Sequence, residues 1–346
     1  MHNNNLLKKY IEEILNIPSP TGYTKDVCKY IAENLDKMGV KYKVGNKGSI
    51  VATIEGEDTL HATTFSAHVD TLGAMVKSIK SNGRLEVSQV GGYMMNSIEG
   101  ENCIVHTRNK TKYEGTLQTI KPSVHIHGQE ARELPRECKN YEIVIDEEVS
   151  NKEDVQDLGI EVGDIVSFDT RTKITKSGFV KSRYLDDKAS AAAILYTINY
   201  IVSNKTSLKN TVNFYFSNYE EVGHGSSGFL PENTTEFIAV DMGCPGENQN
   251  STEFDVCICA KDSNGPYDYE LVSRLIGLCN ENSIGYKVDI YPNYGSDATA
   301  ALKAGLDAKF ALIGPGVFAS HGYERTHIKS MVNTIELMLG HISKNR

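Results

Sequence analysis

Acids and histidines fall in close pairs along this chain, most of them at the ends of apolar stretches. "SAHVDTLG" carries His68 and Asp70, two apart and therefore on one face of an extended segment. A lone histidine is most simply a core or surface residue, but one with a carboxylate at i+2 also suits a metal ligand and its orienting group. "RYLDDKASAAA" places Asp186 and Asp187 at the start of a long helix pattern. Either could simply cap that helix, since carboxylates satisfy the free N–H groups of a first turn. One Asp suffices for a cap, however, which leaves its neighbour open to metal bridging. "NFYFSNYEEVGHG" sets Glu220 and Glu221 side by side just past a strand, and "AVDMG" does the same with Asp241. Adjacent residues on extended backbone point in opposite directions, so the two glutamates cannot share one task. "FASHGYERTH" adds His321 and His327. Singly, each has a bland explanation as a solvated loop residue. Jointly, His, Asp, Glu, Asp and His recur at successive strand ends, a nitrogen and oxygen donor set that fits two zinc-like divalent ions.

The elements that must position these residues follow from periodicity. Helix patterns run over about residues 4–16 and 24–38, separated by the "PSPTGY" break, and strands "SIVATIEG" and "TLHATTFSAHVD" follow. From about Leu72 to Thr175 the texture becomes short alternating segments between Gly, Asn, Asp and Lys clusters, an all-β pattern with one helix near residues 151–159. Beyond Lys176 strands and helices alternate again, through "NTVNFYFSN", "EFIAVDMG", "GYKVDIYP" and "AKFALIG" to a closing helix from about Ile328. The expected fold class is therefore α/β: a mixed sheet flanked by helices, built from residues 1–71 and 176–346 and interrupted by a β-rich domain over residues 72–175. In such sheets, functional groups gather at the strand ends that carry the loops.

Composition narrows the function. Of the 346 residues, 40% are apolar and 23% charged, and the net charge of -9 with no basic cluster argues against nucleic-acid binding. No apolar run reaches the roughly 18 residues of a membrane span. The opening "MHNNNLLKKYIEEILNI" is periodic rather than contiguous in its apolar residues, so it reads as a helix and not a signal peptide. A cytoplasmic location without membrane partners is expected. The seven cysteines form no CxxC pair and read as free thiols, with Cys257 and Cys259 on one strand face in the core.

In "AHVDTLGAMV", "LDDKAS", "EEVGHG", "VDMG", "GSDATAA" and "SHGYERTH", taken in that order, the chain resembles the tetrahedral, dodecamer-forming family of co-catalytic metallo-aminopeptidases, of the glutamyl and deblocking type. The resemblance covers nearly the whole chain, including the β-rich insert. It implies a zinc-exopeptidase-like catalytic domain and a dimerisation domain in the insert. It also implies two divalent ions per subunit, Zn or Co with Mn as a further option. His68 and Asp241 would hold one, Glu221 and His321 the other, and Asp186 would bridge them. Asp187 would support the bridge beside a non-proline cis peptide, Asp70 would orient His68, and Glu220 would serve as general base. Peptide substrates and self-association as a homododecamer are implied too. Two departures stand out. "GSD" replaces the usual "GTD", which leaves Asp297 a supporting place. "SHGYERTH" offers two histidines where the family has one followed by Ser-Pro; His321 is preferred for its distance to the final helix, with His327 as a neighbour of the site. His125 and His127 in "KPSVHIHGQE" read as loop residues, with a separate metal pair as the alternative.

Two other readings remain open at this level. Another two-metal amide hydrolase, an N-acyl amino acid deacylase or a carboxypeptidase-like enzyme, would need a cationic clamp, for which Arg183 and Arg325 are the local candidates. A non-catalytic peptide-binding relative would be expected to have lost the acids, and here all of them are present.

Overall fold

A computed structural model describes residues 3–343. They form two compact units: one joins the chain up to Asp70 with the chain from Arg171 onward, and the other is Thr71–Thr170.

The larger unit is built on a nine-stranded mixed sheet. Strand Asp58–His68 lies near its middle, parallel to Asn210–Ser217 on one side and to Thr234–Val240 on the other. Thr234–Val240 is in turn parallel to Lys309–Pro315, so four neighbouring strands run the same way. Such strands are covered on both faces and read as continuous apolar runs. "NFYFS" is one of these, with Phe214, Tyr215 and Phe216 all fully buried. Antiparallel strands Ile50–Ile54 and Val256–Asp262 continue the sheet on either side. Cys257 and Cys259 on the latter are both buried.

Helix Leu185–Asn204 is the central packing element. It touches helices Asn4–Leu15 and Ile328–Ile342 as well as strand Asp58–His68. Its apolar residues are spread around the axis rather than confined to a stripe, which marks a helix enclosed on all sides. The run Ala189, Ser190, Ala191, Ala192, Ala193 is fully buried, and its small side chains permit close approach.

Residues Thr71–Thr170 fold into a closed six-stranded barrel. The sequence foretells its strands but not its closure, which depends on Gly73–Ile79 pairing both with Leu85–Val90 beside it and with the distant Ile165–Phe168. Val76, Leu85, Val105, Leu117, Ile143 and Val166 fill its interior as a core of its own. Within and just beyond the "KPSVHIHGQE" stretch, read as a loop, stand two short helical turns, Val124–His127 and Gln129–Glu133.

Candidate metal centre

The C-terminal ends of the parallel strands converge on one cluster. His68 is the last residue of its strand and pairs in register with Ser217, after which the chain turns through Asn218 and Tyr219 to Glu220. Asp241 directly follows Val240. Asp186 and Asp187 open the central helix, joined by a cis peptide bond. His321 lies in the loop after strand Lys309–Pro315. Several left-handed non-glycine residues border the site: Tyr184 at φ 65°, Tyr219 at 70° and His321 at 63°. Such conformations persist where surrounding structure holds them, commonly at functional sites.

Distances within the cluster are short. His68 Nε2 is 3.2 Å from Asp186 Oδ1 and 3.7 Å from Glu220 Oε2. His321 Nε2 is 3.3 Å from Asp186 Oδ2 and 3.5 Å from Glu221 Oε2. Asp186 thus stands between the two imidazoles. Two overlapping triads, His68 with Asp187 and Asp241, and His68 with Asp186 and Glu221, each bring three donor atoms within 4.8 Å of one another. Asp187, expected only to support its neighbour, therefore also offers an oxygen to the first triad.

Buried charge of one sign dominates the electrostatics. Burial and the Asp186 charge raise Asp241 to about 7, and the same two causes raise Glu221 to about 8. Burial, then the Asp241 and Glu221 charges, push Glu220 well above the carboxylate range. Burial and Asp241 do the same to Asp187. Asp186 goes the other way: burial disfavours its charge, but hydrogen bonds to His321 and His68 hold it low. Burial alone would lower His68, yet Asp186 and Asp70 keep it well above its usual value.

These residues fit a divalent cation. Asp187 Oδ1 and Glu221 Oε1 are buried with no hydrogen-bond partner, an arrangement costly for a carboxylate unless a cation completes it. His68 Nδ1 donates to Asp70 O at 3.0 Å and Nε2 faces the acids, so a cation that displaced the Nε2 proton would meet the arrangement of a metal-ligating imidazole. All donors are nitrogen or oxygen, as zinc-like ions accept.

Several supporting residues hold this geometry, and not all were legible in the sequence. The Asp70 carboxylate lies 3.6 Å from His68 Nδ1, farther than its own carbonyl. Its oxygens instead accept Glu220 N at 3.1 Å and Glu221 N at 3.3 Å, so it anchors the turn carrying both glutamates. Asp297 secures the far side of that turn, accepting from Ser217 Oγ at 2.5 Å and Ser226 N at 2.9 Å. A Cβ at Gly225 would lie 2.2 Å from Asp297 Oδ1, so only glycine permits this approach. Glu324, which the sequence does not single out, also contacts the cluster. It is 2% exposed and accepts Asp186 N at 3.1 Å and His321 N at 3.0 Å, tying two cluster residues together. Its only signal was position, three residues after His321, where a carboxylate can fold back onto that amide. Ser320 adds a hydroxyl donated to Asp186 Oδ2 at 2.9 Å.

The remaining candidates lie elsewhere. His327 is not a neighbour of the site: its Nε2 contacts Ser177 O at 2.8 Å, and its Nδ1 accepts Lys329 N at 3.0 Å as the N-cap of the last helix. Both ring nitrogens are thereby engaged. His125 and His127 lie on the short turn in the barrel unit, outside any potential ion-binding group among the described residues. Arg325 is held by Glu253 through bonds of 2.5 and 2.7 Å. Arg183 is 4% exposed, with its guanidinium over the Tyr323 ring.

A mixed sheet thus carries an acid–imidazole cluster, a candidate metal site, at its parallel strand ends. The chain is a member of the M42 glutamyl aminopeptidase family, whose profile matches residues 48–337, and it is thus a hydrolase of the aminopeptidase class. That family is metal-dependent. The chain is 47% identical over 328 residues to the candidate aminopeptidase YhfE of Bacillus subtilis (strain 168), covering 95% of this chain and 94% of the relative. In fold it is similar to the TET aminopeptidase of the marine sediment archaeon Thaumarchaeota archaeon SCGC AB-539-E09, with a TM-score of 0.88 at 17% identity over 99% of this chain and 98% of the other. It is also similar to the Pyrococcus horikoshii TET1 peptidase, which can assemble into a tetrahedron or a large octahedral shell, with a TM-score of 0.86 at 20% identity over 98% and 99% of the two chains. No helix among the described residues is long and apolar enough to cross a membrane.

Proposed function

We propose that this protein removes N-terminal residues from short peptides at a site for two divalent ions, with Glu220 as general base. His68 and Asp241 would hold one ion, Glu221 and His321 the other, and Asp186 would lie between them. The observation that carries this reading is the convergence of five buried or half-buried carboxylates and two imidazoles on one point. When bound, the ions lower the pKa of water and polarise the scissile carbonyl.

The chain's own groups divide the remaining work. The Glu221 side chain is 3% exposed and the Glu220 side chain 16%. The more enclosed glutamate suits a ligand, and the more open one can reach an attacking water and the leaving amine. The acid-rich cluster attracts the ammonium of a free N-terminus. A substrate's C-terminal carboxylate would need a free cation instead, and the Glu253 pairing of Arg325 weighs against that alternative. Zinc, cobalt or manganese would satisfy the donor set. Self-association, including a homododecamer paired through the barrel unit, extends the proposal by likeness to the TET peptidases.

Chelator-treated protein, reloaded with single metals, tests the reading on aminoacyl, N-acyl and C-terminal reporter peptides. Metal-dependent release from the aminoacyl reporter alone is expected. Preferred cleavage of the N-acyl or C-terminal reporter would replace this function with the deacylase or carboxypeptidase one. Sedimentation of the same sample tests assembly, and a monomer at micromolar concentration would refute it.

A further inference from the structure

In the sequence, "IPSPTGYT" (Ile17–Thr24) is only a break between two helices. In the structure it is bonded to the parts that hold the glutamate turn. Lys188, fully buried two residues after Asp186, donates from Nζ to Ile17 O at 2.6 Å. Ser19 Oγ donates to Val69 O at 2.8 Å. Thr24 Oγ1 accepts from Asn218 Nδ2 at 3.2 Å, and Asn218 directly precedes the turn. Thr21 links this segment to the Asp70 carboxylate, donating from Oγ1 to Oδ2 at 2.6 Å.

That bond is the shortest that Asp70 receives. The carboxylate is 0% exposed, with Oδ1 taking Glu220 N at 3.1 Å and Oδ2 taking both Glu221 N at 3.3 Å and the threonine hydroxyl. A carboxylate that must meet two consecutive amides has to hold one plane. Without Thr21, the two longer amide contacts and the 3.6 Å approach of His68 Nδ1 to Oδ1 would be left to resist its rotation. We propose that Thr21 is a positioning residue for the reaction: its hydroxyl fixes the plane of the Asp70 carboxylate, and Asp70 thereby fixes where Glu220 and Glu221 point. This rests on the roles given to those glutamates above.

The test compares Thr21→Val, which keeps shape and loses the donor, with Thr21→Ser, which keeps the donor, both as metal-loaded protein. Supporting-residue losses of this kind typically cost 10–100-fold, so Thr21→Val should lower kcat by about that factor while KM stays within about twofold. One of its two ions should also be released at roughly tenfold lower chelator concentration, read by metal analysis without any assay of turnover. Thr21→Ser should restore both readouts. Ser19→Ala, which cuts a bond from the same segment without touching Asp70, should leave both near wild type. If Thr21→Val does not accumulate, Thr21→Ala is read in the same way.

Wild-type kcat and metal retention in Thr21→Val would overturn the inference. So would an equal loss in Thr21→Ser or Ser19→Ala, which would point to packing rather than the hydroxyl. Glu220→Gln separates the two levels: an active Glu220→Gln sinks the base assignment itself, whereas an inactive Glu220→Gln beside a normal Thr21→Val sinks only the role of Thr21.

Discussion

Asp289 and Asp241 are hidden from water to the same degree, 6% exposed each, at strand ends of one sheet. Asp289 is surrounded by donors: Asn250 N at 2.9 Å, Asn250 Nδ2 at 3.2 Å, Ser251 N at 2.7 Å and Ser251 Oγ at 2.5 Å. Asp241 receives one backbone amide, Met242 N at 2.7 Å, and the Tyr294 hydroxyl, and its other neighbours are His68 and the acids Asp186 and Asp187. The first acid has been desolvated and re-solvated by neutral protein groups. The second has been desolvated with fewer donors and set among other acids, so that burial and the Asp186 charge outweigh the groups that favour its charge. Burying a charge is costly unless something replaces its water, so the two environments make opposite demands. One is complete, and the other calls for a cation.

The largest test of that contrast removes the proton acceptor and spares the ion site. Glu220→Gln should lower kcat/KM by about 10²–10⁴-fold while metal analysis still finds the wild-type content. Loss of metal together with activity would make Glu220 a ligand and redraw the cluster.

Next comes the pair itself. Asp241→Asn should lower metal affinity by at least about 10–100-fold. Asp289→Asn should keep its metal and its kcat but lose about 1–3 kcal/mol of unfolding free energy, because it breaks charge-assisted bonds. The reverse pattern would abolish the distinction between the two acids.

The pH dependence of stability sharpens the contrast further. Glu221 and Asp241 have folded values raised to about 8 and about 7, above the ordinary carboxylate range near 4. Below that ordinary range both states are protonated. Between it and the raised values, the folded state binds more protons than the unfolded one, so stability falls as pH rises. Metal-free protein should therefore melt higher at pH 5.5 than at pH 8.5, and added zinc should flatten or reverse that slope. A metal-free melting temperature that rises over the same interval would contradict the crowding of charge described here.

The smallest effect concerns the two histidines of "SHGYERTH". His327→Ala should cost about 1 kcal/mol as a lost helix cap and leave kcat within about twofold. His321→Ala should instead reduce metal content. Metal loss in the His327 variant would reverse their placement.

Much of this arrangement was legible because strand ends announce themselves. An apolar run followed at once by His68, by Glu220 and Glu221, or by Asp241 marks both the strand and the group it delivers. What stayed hidden depends on contacts distant in sequence. Glu324 reads as one more polar residue of a solvated loop, and its value lies in an amide 138 residues away. Asp70 reads as the partner of His68 because two-residue spacing puts them on one face. Only the fold shows its carboxylate turned to the amides of Glu220 and Glu221, 150 and 151 residues on. His327 reads as a neighbour of the site beside the preferred His321, yet its ring is taken by a hairpin and a helix start.

By itself, the sequence determined the elements, the alternation that makes a mixed α/β sheet, and the kinds of donor at each strand end. These follow from local periodicity and side-chain chemistry, which need no knowledge of the rest of the chain. Tertiary structure alone decided which acids would be satisfied by neutral donors and which would be crowded together. That difference depends on the partners each carboxylate meets after burial, and residues far along the chain supply many of them.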